Sequence, residues 1–131
     1  MCIRDRLNAA LDHGARGTGA AWVAALSSDV AALRTAELTA ALEQADGSAR
    51  SFVADAEGTG TTLLAVTAGP LDPRFGPGSA QAHAASGAVP LSGRWPGLRR
   101  DVDTAADLAA AAALGLGPRS APLAARLLGS P

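Results

Sequence analysis

Lysine and tyrosine are absent from this chain of 131 residues, and cysteine and methionine occur once each. Each shortage removes a class of function. Without lysine there is no amine for Schiff-base chemistry and no lysine-dependent phosphate loop within these residues. The lone Cys2 builds neither an intramolecular disulfide framework nor a cysteine zinc cluster, so the expected compartment is the reducing cytoplasm. Aromatic residues make up only 3%, and the 48% of hydrophobic residues is carried largely by alanine; burial per residue is therefore modest. All eleven basic residues are arginine, and against twelve acids they leave a formal charge of −1. That balance offers no basic face for nucleic acid. No run of eighteen strongly apolar residues exists, so no membrane-spanning helix is expected and the protein is read as soluble.

The length fits one domain. Residues 1–6, Met1-Cys2-Ile3-Arg4-Asp5-Arg6, lack the order of a signal peptide and do not continue the pattern that follows. They are read as a leader foreign to the fold. Leu7 to Leu11 then opens an amphipathic helix stopped by Gly14 and Gly17, as expected of a truncated product. Ala21 to Leu26 has strand length, and Leu33, Leu38, Ala41 and Leu42 recur at helical spacing, with Thr35 as expected N-cap and Gly47 as terminator. Ser51 to Ala54 and Leu63 to Val66 read as strands. A loop punctuated by Pro70, Pro73, Gly76, Pro77 and Gly78 precedes a helix from Ala80 to Ser86. Val89 to Leu91 reads as strand, at an edge because of Pro90. Leu98 to Val102 is expected to be a last strand, Thr104 to Leu114 the strongest helix, and Pro122 to Leu128 a short closing one. The alternation predicts an α/β fold with a largely parallel sheet.

Ligands of such sheets sit at strand carboxyl ends. Three loops carry candidate chemistry there. Asp29 follows the first strand. Asp101 and Asp103 are two apart, so on a strand their carboxylates share a face and suit Mg²⁺, which takes hard oxygen ligands; alternatively, Asp103 or Thr104 caps the next helix and Asp101 is solvated. Gly58-Thr59-Gly60-Thr61-Thr62 offers open backbone amides and hydroxyls to a phosphate, or is a flexible turn. Phe75-Gly76-Pro77-Gly78-Ser79 ends at a helix start, where Ser79 binds an anion, caps the helix, or does both. His83 shares a helix face with Ser79 and is placed to reach the same anion, or is a packing residue. Arg74, Arg99 and Arg100 flank the loops and supply positive charge.

In order and spacing, Phe52-Val53-Ala54-Asp55 into Gly58-Thr59-Gly60-Thr61, then Leu71-Asp72-Pro73-Arg74-Phe75-Gly76-Pro77-Gly78-Ser79 with His83, then Leu98-Arg99-Arg100-Asp101-Val102-Asp103-Thr104 with Asp107-Leu108, resemble the carboxyl-terminal part of the 2-phospho-L-lactate guanylyltransferase family. That family includes phosphoenolpyruvate guanylyltransferases. The resemblance implies a Rossmann-related, glycosyltransferase-A-like nucleotidyltransferase fold whose amino-terminal part is missing. Residues 7–118 would be a partial domain and 119–131 a tail. It implies transfer of GMP from GTP to the phosphate of 2-phospho-L-lactate or phosphoenolpyruvate, with release of pyrophosphate, in coenzyme F420 biosynthesis. Asp29, Asp101 and Asp103 are then the catalytic, Mg²⁺-binding carboxylates. Thr59 or Thr61, Gly76, Gly78 and Ser79 form the acceptor-phosphate pocket, with His83 beside it. The chain departs from the pattern where Leu26-Ser27-Ser28-Asp29-Val30-Ala31 lacks both prolines of the family's Leu-Pro-x-Asp-Leu-Pro, and where Thr62 replaces a common Asn. The family's first strand and its Lys-Ser-Arg-Leu-like basic loop for GTP have no counterpart. Two other readings are a non-catalytic phosphate-metabolite-binding module or inert fragment, and a molybdenum-cofactor-type or sugar nucleotidyltransferase. An acceptor phosphate is already ionised at neutral pH, so no general base is needed.

Overall fold

The densest apolar runs, Phe52-Val53 and Leu63 to Val66, lie on strands β2 (Arg50–Ala54) and β3 (Thr61–Val66) at the centre of a four-stranded sheet ordered β1-β3-β2-β4. The computed structural model describes residues 3–129. Every residue of β3 is buried, as expected of a strand covered on both faces. The two-residue period sorts its side chains. Leu63 and Ala65 face one core with Val53, Leu98 and the Ala41 and Ala45 stripe of α2 (Thr35–Ala45). Leu64 and Val66 face the other with Phe52, Leu71 and Ala80, against which Leu11 and Ala15 of α1 (Ile3–Gly17) pack. The result is three α/β/α layers.

The expected parallel sheet is corrected to a mixed one. β1 (Val23–Leu26) and β2 both run antiparallel to β3, and only β4 (Val89–Pro90) runs parallel to its neighbour β2. The cause is local: residues 55–60 join β2 to β3, and a connection that short makes a hairpin, whereas a parallel pairing needs a crossover of about a dozen residues or more. Pro90 does lie on an edge strand.

The expected strand Leu98 to Val102 is also corrected. Pro96–Arg99 is a short helix, α4. Pro96 presets the helical φ at its first position, Trp95 before it is left-handed at φ 33°, and the Gly97 amide donates to Glu37 Oε2 at 2.9 Å. From Arg99 to Val102 the backbone makes single stitches instead of a ladder: Ala56 N–H donates to Arg99 O at 2.7 Å and Val102 N–H to Asp29 O at 3.1 Å.

Smaller corrections concern caps. Arg34, not Thr35, is the N-cap of α2, and its amide donates to Glu37 Oε1 at 2.9 Å. Gly78, left-handed at φ 71°, is the N-cap of α3 (Ser79–Ala85), so Ser79 is the first helical residue and its hydroxyl is released from capping. Gly14 does not stop α1, which runs unbroken from Ile3 to Gly17 across the expected boundary at residue 6; a single glycine costs only about 1 kcal/mol in a helix. Met1 and Cys2 of the expected leader, and residues 130–131 of the tail, lie outside the described residues. Thr104 caps α5 (Ala105–Leu114), accepting from Asp107 N at 3.1 Å while Asp107 accepts back from Thr104 N. The chain closes on α6 (Ser120–Leu127), with Pro122 in its first turn where the missing N–H costs nothing. No described helix is long and apolar enough to cross a membrane.

Candidate active site

Asp29 stands in the loop after β1, and Asp101 and Asp103 stand between α4 and α5. The Val102–Asp29 backbone bond pulls these loops together. One carboxylate oxygen from each of Asp29, Asp101 and Asp103 then lies within 4.8 Å of the others. Thr104 takes the cap and Asp107 binds the amides of Asp103 and Thr104 at 3.0 and 3.1 Å, which leaves the Asp103 carboxylate free of capping duty. These hydrogen bonds hold Asp107 below the usual carboxylate range, helped by Arg100 at 3.6 Å. Asp101 moves the other way. Partial burial, then the negative charges of Asp103, Asp55 and Asp29, push its pKa up.

Such a cluster is short of positive charge. Three hard oxygen donors suit a divalent cation such as Mg²⁺, around which adjacent ligands lie roughly 3 Å apart and opposite ones roughly 4.2 Å; the carboxylates, within 4.8 Å of one another, would have to rotate inward to hold one.

A cleft of about 230 Å³ adjoins the cluster, lined by Asp55, Thr59, Thr61, Gly76, Ser79 and Asp101 among others. Asp101 thus belongs to both. The hairpin side is held by Asp55, whose Oδ1 accepts from Thr59 N at 3.1 Å. A Cβ on Gly60 would collide with that carboxylate, which is why the turn takes glycine here. The opposite wall, residues 71–79, is clamped from three directions. Asn8 on α1 bonds Phe75 through both its amide atoms, at 3.1 and 2.8 Å. Arg50 donates to Leu71 O at 2.7 Å and to Asp72 O. His83 Nε2 accepts from Arg74 N at 2.9 Å. The sequence reading assigned no role to Asn8, Arg50 or Asp55. For Asn8 no local pattern exists to be read, since its partner is 67 residues away; Asp55 had one, an acid four residues before an amide in a glycine-rich turn.

The cleft brings together Thr59, Thr61, Gly76, Gly78 and Ser79. His83 is placed differently. It is fully buried behind the cleft, with Nδ1 2.8 Å from Thr61 Oγ1 and both ring nitrogens occupied by protein. The expectation that it reaches an anion directly is therefore corrected, because no ring atom is left to do so. The arginines are also engaged elsewhere. Arg99 donates to the carbonyls of Ala54, Leu91 and Gly93, Arg100 pairs with Asp107, and Arg74 pairs with Asp72 at 3.3 Å.

Burial first, and then the nearby Arg50 and Arg74, lower the His83 pKa to about 4. The unfolded chain, with an ordinary histidine near 6.5, binds the proton more readily than the fold does. Stability is therefore complete above about pH 6.5 and falls as pH drops from there toward 4, by on the order of 2–3 kcal/mol in all. Urea unfolding at pH 7.5, 6 and 4.5 should show this decline, and His83→Leu should flatten it; an unchanged slope in that variant would place the titration elsewhere.

No protein-family model matches the chain. Curated proteins do. It is 63% identical over 117 residues to a phosphoenolpyruvate guanylyltransferase of Geodermatophilus obscurus, covering 89% of this chain and 54% of that protein. A phosphoenolpyruvate guanylyltransferase of Salinispora arenicola is 61% identical over 118 residues, and one of Thermomonospora curvata 58% over 127, each with 55–56% of its length covered. The chain is a relative of the phosphoenolpyruvate guanylyltransferases. It spans about half the length of these curated relatives.

Proposed function

We propose that this chain carries the acceptor and metal side of a guanylyltransferase that joins GMP from GTP to the phosphate of phosphoenolpyruvate, or of 2-phospho-L-lactate, and releases pyrophosphate, as a step of coenzyme F420 biosynthesis. The observation that carries the reading is the sharing of Asp101 between the three-carboxylate cluster and the hydroxyl-lined cleft. Guanylyl transfer needs those two features side by side, because it is governed by positioning and charge. In this reading the α/β core is of the nucleotidyltransferase, Rossmann-related kind. Asp29, Asp101 and Asp103 hold Mg²⁺, which supplies charge neutralisation on the phosphoryl oxygens. Thr59, Thr61 and Ser79, with the open backbone of Gly76 and Gly78, hold the acceptor phosphate. The acceptor oxyanion attacks the α-phosphorus of GTP; the bond from that phosphorus to the bridging oxygen of pyrophosphate breaks, and no proton needs to move.

The test is pyrophosphate release by a hybrid in which this chain replaces the stretch it matches in the Geodermatophilus obscurus relative. Release should require GTP and the phosphorylated three-carbon acid together. A hybrid that binds the acid but releases no pyrophosphate would favour a binding module instead. In the same hybrid Ser79→Ala should raise the acceptor KM roughly tenfold to a hundredfold, since a hydrogen bond to a charged group is worth about 1.5–3 kcal/mol. The GTP KM should stay put; equal rises for both substrates would mean that Ser79 serves the fold and not the acceptor.

A further inference from the structure

Behind the cleft, the protonation of one buried imidazole determines which way two hydroxyls face. The Arg74 amide donates to His83 Nε2 at 2.9 Å. An amide N–H can only donate, so Nε2 carries no proton and the neutral ring keeps its proton on Nδ1. Nδ1 lies 2.8 Å from Thr61 Oγ1 and so acts toward it as a donor, sharing its proton with the Ser79 carbonyl one turn earlier, and cannot accept the Thr61 proton. Ser79 Oγ lies 3.1 Å from the same oxygen. Two hydroxyls joined by one hydrogen bond have two protons between them, and the bond uses one. With His83 donating into the pair, the second proton has no acceptor among the described residues, and both hydroxyl residues line the cleft. The ring cannot easily turn to reverse this, because Phe52 and Phe75 pack against it at centroid distances of 5.8 and 5.2 Å.

We propose that His83 is a positioning residue which, without touching the acceptor, fixes the Thr61–Ser79 hydroxyl pair as a hydrogen-bond donor toward a phosphate oxygen in the cleft. This rests on the reading of the cleft as the acceptor-phosphate site. A ring with its proton on Nε2 would instead accept from Thr61, and the pair would have no proton left to offer.

Two conservative variants separate the positioning role from mere packing. In His83→Asn the side-chain amide nitrogen takes the place of Nδ1 and keeps a donor for Thr61. In His83→Gln the amide reaches the Nε2 position, where it can serve Arg74 but not Thr61. Both lose packing and should be less stable. In the guanylyltransferase hybrid, His83→Gln should raise the KM for phosphoenolpyruvate about tenfold with the GTP KM unchanged, while His83→Asn stays within about threefold of the parent. Equal KM values in the two variants would overturn the proposal. Thr61→Val is the control on the reading beneath it: an unchanged acceptor KM there would mean that the cleft does not hold the acceptor, whereas a raised KM with equal His83 variants would remove the positioning role alone. A readout that needs no variant is the ¹⁵N spectrum of the imidazole at neutral pH. The Nδ1–H tautomer is expected, and an Nε2–H tautomer or a charged ring would contradict the proposal.

Discussion

In the hybrid enzyme, Asp101→Asn is expected to lower guanylyl transfer at least ~100-fold if the proposed site is right, because it removes a charged oxygen from the point where the carboxylate cluster and the hydroxyl-lined cleft meet. The same change should leave the fold intact or firmer. In the native protein, partial burial and the charges of Asp103, Asp55 and Asp29 disfavour the ionised carboxylate, so a neutral isostere relieves repulsion. Asp29→Asn and Asp103→Asn should also cost activity. The measurement is pyrophosphate release alongside thermal unfolding for each variant; an Asp101→Asn protein with near-normal Mg²⁺-dependent turnover would remove this residue from the site, and a large loss of stability would show that its role is architectural.

Gly97→Ala should produce the largest loss of stability, roughly 3 kcal/mol. Gly97 sits in α4 directly against α2, and a Cβ there would strike the Ala32 carbonyl and the Glu37 carboxylate. Backbone cannot step aside as a flexible side chain can. The displaced Glu37 would also lose its bonds from the amides of Arg34 and Gly97, each 2.9 Å long, and a buried amide left without an acceptor adds about 1–3 kcal/mol. Urea unfolding of the two proteins measures the difference; a midpoint shift worth less than about 1 kcal/mol would mean that α4 relaxes away from α2 at little cost.

What could be read from sequence depended on whether the decisive interaction was local. The helices Thr35–Ala45 and Ala105–Leu114 announced themselves, the first through apolar spacing and the second through its alanines and the acid Asp107 in its first turn. The buried strands β2 and β3 were legible as apolar runs. Strand direction was not, since it follows from connection length and pairing partners and not from composition. Leu98 to Val102 misled because Leu98 and Val102 look like strand residues, while the helix there is fixed by Glu37, sixty residues away from Gly97 in sequence. The candidate site residues Asp29, Asp101, Asp103, Thr61 and Ser79 were picked out by residue type and by their places at or beside loops. His83 was recognised as part of the constellation, with anion contact and packing both left open. Its burial and its bond to the Arg74 amide exist only in the folded chain.

In the proposed function the carboxylates and the hydroxyl cleft form one site joined at Asp101. Calorimetric titration of phosphoenolpyruvate into the guanylyltransferase hybrid, with and without saturating Mg²⁺, tests it most directly, because ligands of a shared site must change each other's affinity reciprocally. The expected result is acceptor binding at least about tenfold tighter with Mg²⁺, and loss of that coupling in Asp101→Asn. Acceptor affinity indifferent to Mg²⁺ in the unmutated protein would contradict the claim.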